Sequence, residues 1–220
     1  MKTTSKRDYK IFAPGEHYHV FNRGNAKMDI FLEPEDYGFF IRRLHEALFP
    51  ESADGAHPQK RKSRYERTQL PDGAFSLVSY CLMPNHYHLL VRQNSDLPVS
   101  ALLLKVCSGY GKYFNKKYKR VGSLFQDQFK AVRVDGNTYL LYVSMYIHQN
   151  PVVAQLVKRA EEYVYSSYPD YLGLRDGSLC EKGIIMEQFS SLENYRTFVG
   201  GNPEVAEQEG LNAYLIDAYE

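Results

Sequence analysis

The 220-residue chain is long enough for one domain of ordinary size, and its 44% hydrophobic residues suffice for a core, which excludes a disordered or fibrous protein. No apolar run approaches membrane-spanning length, and the N-terminal segment lacks the apolar core of a signal peptide, so we expect a cytoplasmic protein outside the membrane. Cys81, Cys107 and Cys180 are widely spaced and odd in number, which predicts neither a disulfide framework nor a cysteine zinc site.

The charge is unevenly distributed, although the net charge is only +1. Residues 98–134 carry eight basic residues and one acid, a local net charge of +7. Residues 161–220 carry twelve acids and three basic residues, a local net charge of −9. This asymmetry favours a polyanion bound by the centre of the chain, with a merely solvated basic face as the alternative.

The hydrophobic pattern predicts alternating strands and helices in chain order. We expect strands at 16–25, 74–83, 86–93 and 129–134, helices at 33–49 and 98–118, and a last helix from Asn137 to a boundary imposed by Pro151. A polar, basic and mobile insertion is expected at 50–73. The order β-α-β-β-α-β followed by a helix predicts an α+β, ferredoxin-like antiparallel sheet with helices on one face. We divide the chain into a domain at 1–170 and an acidic, partly helical C-terminal appendage at 171–220.

The stretch "MPNHYHLLV" at 83–91 places two histidines on one strand after a Pro-Asn turn. Because side chains on a strand alternate between faces, His86 and His88 share a side and could hold one divalent metal ion. A pair of half-buried structural histidines is an equal alternative for this pattern alone. On the last helix, Tyr142, Tyr146 and Asn150 recur at every fourth residue and share a side, which could meet the histidines or serve only packing.

Several blocks of sequence, in order, resemble one family. "YHVFNRGN", "MPNHYHLLV", "GKYFNKKYKRVGSLFQDQFKAVRV" and "YIHQNPV" are similar to the HUH single-tyrosine transposases, most closely to the REP-associated branch of the IS200-like transposases. The resemblance spans residues 16 to about 170. It implies that Tyr146 is the nucleophile that attacks single-stranded DNA. It also implies that His86, His88 and Asn150 hold a divalent cation, Mg²⁺ or Mn²⁺, with His148 or Gln149 as alternatives for the third ligand.

The leading hypothesis is therefore a metal-dependent single-stranded DNA endonuclease and strand transferase that forms a 5′-phosphotyrosine intermediate on hairpin-forming repeat DNA. The alternative is an inactive or regulatory single-stranded nucleic-acid-binding module of the same fold. A histidine phosphoesterase is disfavoured, because Leu90 stands where histidine-triad hydrolases have a third histidine and metallo-β-lactamase-like sites have an aspartate. Relatives act as monomers or as homodimers, and both remain open. Candidate contacts to the DNA backbone are Lys116, Lys117, Lys119, Arg120 and, on the first strand, Arg23.

Overall fold

The sheet has four antiparallel strands. The computed structural model describes residues 12–50 and 69–201. Its strands are β1 (His17–Arg23), β2 (Phe75–Met83), β3 (His86–Gln93) and β4 (Lys130–Val134), in the spatial order β2-β3-β1-β4. β2 and β3 form the predicted hairpin across Pro84 and Asn85, and β1 pairs antiparallel with both β3 and β4. This confirms the ferredoxin-like sheet.

Two helices cover one face of this sheet. They are α1 (Pro34–Leu48) and α2 (Val99–Lys117), and they pack against each other. A capping box between Glu33 and Asp36 starts α1, with Pro34 in its first turn. Tyr87 on β3 marks the covered face: its ring lies 5.2 Å from that of Phe40 on α1. Both helices and their bounds agree with the sequence pattern, because each has one continuous apolar side to bury.

The last helix of the core, α3 (Asn137–Val153), crosses the opposite face and packs on β2, β3 and β4. The predicted end at Pro151 is wrong, since the helix continues through the proline to Val153. Pro151 lies in the final turn, where its missing N–H removes a single helical hydrogen bond, and the N–H of Ala154 still donates to Asn150 O at 2.9 Å. Asn150 and Pro151 are both buried, so tertiary packing holds this turn in helical form.

The described part of the C-terminal region packs directly on the core. It contains a 3-10 helix (Ala160–Glu162) and three short helices: α4 (Tyr168–Tyr171), α5 (Gly183–Met186) and α6 (Leu192–Val199). α6 contacts α3 through the buried Tyr195, and the segment at Ser166 bridges to Cys81 on β2. The division at residue 170 stays a prediction. The core of the expected insertion, 51–68, and residues 202–220 lie outside the described residues. Among the described residues, no helix is long and apolar enough to cross a membrane.

Candidate metal and nucleophile site

The strand register brings three histidines together on the face that α3 covers. His88 lies opposite Phe21 and His86 opposite Arg23 across the β1–β3 ladder. Residues that face each other across a ladder point to the same side of the sheet, so His19, two residues before Phe21, joins the pair. The ring centroids of His86 and His88 are 4.9 Å apart, and those of His19 and His88 are 5.1 Å apart. All three side chains are buried.

In both His86 and His88, one ring nitrogen forms a hydrogen bond, whereas the other has no hydrogen-bond partner among the described residues. His86 Nδ1 bonds to Asn85 Oδ1 at 2.6 Å, and His88 Nδ1 to His19 Nε2 at 2.9 Å. His86 Nε2 and His88 Nε2 are buried and have no hydrogen-bond partner within the described chain. Buried polar atoms without a partner are uncommon in folded proteins. Two such nitrogens on neighbouring imidazole rings fit a divalent cation, because imidazole is a common metal ligand and its second nitrogen is usually hydrogen-bonded.

Burial keeps both imidazoles uncharged at neutral pH. Burial and, to a smaller extent, the nearby Arg23 guanidinium lower the pKa of His86 to about 3, although the Asn150 side chain acts in the opposite direction. Burial also lowers the pKa of His88 well below the ordinary value, with His86, His19 and Arg23 adding to the effect. Metal ions bind the neutral imidazole, so both rings carry the lone pairs that coordination requires.

α3 places Tyr146 and Asn150 over the histidines. The Tyr146 ring lies edge-on to both His88 and His19, with ring centroids 5.4 Å and 5.9 Å away. One turn later, Asn150 Nδ2 donates to the Tyr146 carbonyl at 2.9 Å. The amide nitrogen is thus engaged on its own helix, and the Asn150 side chain is close enough to His86 to raise the pKa of that imidazole. Strand and helix therefore bring His86, His88, Tyr146 and Asn150 into one cluster.

The alternative residues on α3 have other partners. His148 is fully buried, with Nδ1 bonded to Tyr195 Oη at 2.9 Å and Nε2 to Ser167 Oγ at 2.8 Å. Burial lowers its pKa to about 3. Gln149 donates to the carbonyls of Val199 and Gly201, beyond the end of α6. Neither side chain faces the histidine pair.

Tyr142 is also separated from the cluster. Its ring packs on Phe198 of α6, with centroids 5.7 Å apart. The sequence pattern placed Tyr142 on the same side of the helix as Tyr146. The helix turns by slightly more than a full revolution in four residues, so the two rings meet different neighbours.

Within the described residues, the cluster offers a cation two imidazoles and one amide as candidate ligands. Among residues 12–50 and 69–201, no three His, Cys, Asp or Glu side chains are arranged to hold a metal ion. His19 Nε2 bonds to His88 Nδ1 and lies behind that ring. A neutral oxygen, such as that of Asn150, is the remaining kind of protein ligand beside His86, and oxygen ligands suit both Mg²⁺ and Mn²⁺.

The basic residues at 116–120, which the sequence predicts to contact DNA, differ in their surroundings. Lys116 and Lys119 are exposed, and Arg120 is half-buried with its guanidinium over the Phe114 ring. The segment that follows them runs beside the end of β1, where Gln126 N–H donates to Arg23 O and Gly24 bridges to Phe125. The basic residues 116–120 are therefore followed by a loop that contacts Arg23 and Gly24 at the end of β1. Arg23 in turn lies opposite His86 in the sheet.

Lys117 has a structural role that the sequence did not indicate. Its ammonium group lies 2.9 Å from Asp36 Oδ1, 2.9 Å from Glu35 and 3.0 Å from Glu33. Asp36 is fully buried and also accepts hydrogen bonds from the hydroxyls of Tyr113 and Tyr118. Three carboxylates thus surround this lysine, whereas a DNA contact needs a cation that can turn to a phosphate.

His19 is the residue of the cluster that sequence reasoning missed as a site residue. The alternation along β1 already put His19 on the same side as Phe21 and Arg23. In a ferredoxin-like sheet β1 lies beside β3, so the signal needed was the pairing of these two strands. The exact register, which decides whether His19 meets His88 or a neighbour, came only with the structure.

Comparisons with known proteins show a similar family and a similar fold. The family model described as "Transposase IS200 like" matches residues 58–150, which include both histidines of β3, Tyr146 and Asn150. No curated protein matches the chain. A solved structure of a REP-associated tyrosine transposase bound to a REP hairpin is similar in fold, with a TM-score of 0.53 and 13% identity; the match covers 83% of this chain and 98% of that one.

A candidate transposase from Deinococcus radiodurans R1 matches 64% of this chain and 91% of its own at 13% identity, with a TM-score of 0.37 that is too low to support an argument. The family model covers residues 58–150, and the α+β fold is shared with the REP-associated tyrosine transposase, so this part of the chain is similar to the IS200-like transposases.

Proposed function

We propose that this protein is a metal-dependent single-stranded DNA endonuclease and strand transferase that acts through a 5′-phosphotyrosine intermediate on Tyr146. The observation that carries the proposal is the contact between the Tyr146 ring and His88, beside two buried imidazole nitrogens without partners. A nucleophile and a candidate cation site so close together suit attack on a phosphodiester. The fold relative bound to a REP hairpin supports hairpin-forming repeat DNA as the substrate.

The proposed reaction has two balanced steps. In cleavage, the Tyr146 phenol loses its proton and its oxygen bonds to the phosphorus, while the bond from phosphorus to the 3′ oxygen breaks and that oxygen takes up a proton. In strand transfer, a 3′-hydroxyl attacks the same phosphorus and releases Tyr146, which regains a proton. The phosphotyrosine bond is not hydrolysed, so the 5′-phosphoryl end of the DNA can be transferred from Tyr146 to the 3′-hydroxyl of another strand.

His86, His88 and Asn150 would hold Mg²⁺ or Mn²⁺. When bound, the cation supplies Lewis-acid charge neutralisation at the non-bridging phosphate oxygens. The chain itself contributes two neutral imidazoles whose Nδ1 atoms are held by hydrogen bonds. It also contributes the Asn150 amide, which is oriented by its hydrogen bond to the Tyr146 carbonyl. Burial of the histidines excludes water from this face of the sheet.

The DNA backbone would follow the basic residues at the end of β1. Arg23 next to His86, together with the exposed Lys116 and Lys119 and the neighbouring Arg120, provides cations for phosphates on either side of the scissile bond. We leave Lys117 out of this set, because three carboxylates already surround its ammonium group. The proposal includes action in the cytoplasm as a monomer or homodimer.

Trapping of the covalent intermediate tests the proposal. Wild-type protein incubated with labelled single-stranded hairpin DNA and Mn²⁺ should form a covalent adduct, which mass spectrometry should locate at Tyr146. Tyr146→Phe removes one oxygen and should eliminate the adduct while it keeps DNA affinity. Tyr142→Phe, one turn earlier and packed on Phe198, is the matched control and should react as wild type.

Two results would contradict the proposal. An adduct that persists in Tyr146→Phe would place the nucleophile elsewhere. Binding of the hairpin with neither adduct nor cleavage in the wild type would favour the alternative, an inactive nucleic-acid-binding module.

A further inference from the structure

His19 makes a specific contact behind the proposed ligand His88. Its Nε2 lies 2.9 Å from His88 Nδ1, both rings are fully buried, and the two rings are stacked with 21° between their planes. The bond crosses from β1 to β3, so the sheet itself sets its geometry. A buried bond between two imidazoles needs one ring to donate and the other to accept.

The direction of this bond follows from the role proposed for His88. Only a nitrogen without a proton can bind a metal ion, so His88 must carry its proton on Nδ1 if Nε2 is to be the ligand. His88 Nδ1–H then donates to His19 Nε2. His19 is therefore the acceptor that selects the useful tautomer of His88, as Asn85 Oδ1 does for His86.

His19 also contacts the proposed nucleophile. The Tyr146 ring lies edge-on to His19 as well as to His88, at 5.9 Å and 5.4 Å between centroids. One side chain thus contacts both the ligand and the tyrosine that has to be placed against the phosphate.

We propose that His19 is a positioning residue, which fixes the tautomer and ring orientation of His88 and sets the place of Tyr146 relative to it. The inference rests on the proposed function for its purpose. Its physical content, the tautomer of His88, can be measured without metal or DNA. Loss of an outer hydrogen-bond partner of a ligand commonly weakens metal binding by about 10- to 100-fold.

The test compares four proteins: wild type, His19→Phe, His19→Gln and, as the matched control, His17→Phe. His17 precedes His19 by two residues on the same side of β1 and is half-buried. Long-range ¹H–¹⁵N correlation spectra of the metal-free proteins report the tautomer of His88, whose signals are assigned from their loss in His88→Gln. Mn²⁺ titration followed by electron paramagnetic resonance reports affinity, and circular dichroism reports folding.

We expect His88 to be protonated on Nδ1 in the wild type and in His17→Phe. In His19→Phe, His88 should populate both tautomers, and the Mn²⁺ affinity should fall about 10- to 100-fold. Glutamine can place its terminal oxygen near the position of His Nε2, so His19→Gln should restore the tautomer and most of the affinity. If His19→Phe does not fold, His19→Asn replaces it, because its amide is one methylene too short to reach His88 Nδ1.

Each outcome separates this inference from the proposed function. An unchanged His88 tautomer and unchanged Mn²⁺ affinity in the variant that lacks the acceptor would overturn the role of His19, even if wild-type protein forms the Tyr146 adduct. Conversely, the expected tautomer shift in a protein that forms no adduct would uphold the inference about His19 while the proposed function fails.

Discussion

Mn²⁺ should raise the thermal stability of this protein, and His86→Ala should abolish the effect. A ligand that binds only the folded state stabilises it by about 2.7 kcal/mol at a concentration about 100 times its dissociation constant. For a chain of this size, each kcal/mol shifts Tm by about 2–4 °C. Saturating Mn²⁺ should therefore raise the wild-type Tm by about 5–11 °C, and EDTA should reverse the shift.

The structure also indicates how much stability His86→Ala loses when no metal ion is bound. Replacement of an exposed ligand would leave the stability of the fold unchanged, but His86 is buried, so its replacement lowers the stability. Its side chain hydrogen-bonds to Asn85, and loss of this bond costs about 1 kcal/mol. Removal of the unpartnered Nε2 offsets part of this, because a buried polar atom without a partner is itself unfavourable. We therefore expect His86→Ala to fold, with a metal-free Tm only a few degrees below that of the wild type.

Differential scanning calorimetry with and without Mn²⁺ measures both quantities. His45→Ala is the control: this histidine lies in the last turn of α1, on the face of the sheet opposite the site, and its variant should keep the full Mn²⁺ shift. If His86→Ala kept the Mn²⁺ shift of the wild type, the histidine pair would be structural and the proposed cation site would be refuted.

Two further predictions concern the neighbouring lysines and the carboxylate between the helices. Lys116→Gln should weaken single-stranded DNA binding and reduce the slope of log affinity against log salt concentration by about one, as measured by fluorescence anisotropy. Lys117→Gln should mainly lower the stability of the fold. Equal effects of the two variants on DNA affinity would contradict this prediction. Burial alone would raise the pKa of Asp36, but hydrogen bonds from Lys117, Tyr118 and backbone N–H groups lower it overall. Its contribution to the free energy of unfolding is thus present above the unfolded pKa of about 4 and lost as pH falls through the lower, folded value. Urea unfolding between pH 2 and 6 should show a shallower pH dependence in Asp36→Asn, and an unchanged slope would contradict the assignment.

The pattern of the sequence was sufficient for the elements of the sheet and for the helices α1 and α2. Alternation along β3 put His86 and His88 on one side, and the apolar residues of α2 recur at helical spacing, because both patterns arise from the local geometry of the backbone. Pro151 shows the limit of local reasoning. Its preference for a helix end was overridden by the burial of the turn that contains it.

Tertiary structure decided which side chains meet. Lys117 and Lys116 are adjacent and chemically identical, yet only Lys117 reaches the buried Asp36 on another helix. His148, Gln149 and Asn150 are consecutive, and the rotation of α3 over the sheet turns the first two toward the C-terminal region and Asn150 toward His86. His19 and His88 are 69 residues apart, and only the register between β1 and β3 joins them. The sequence by itself therefore determined the elements and the faces of single strands, which depend on local periodicity. The partners across helices and strands depend on packing between distant segments, and periodicity along the chain does not specify them.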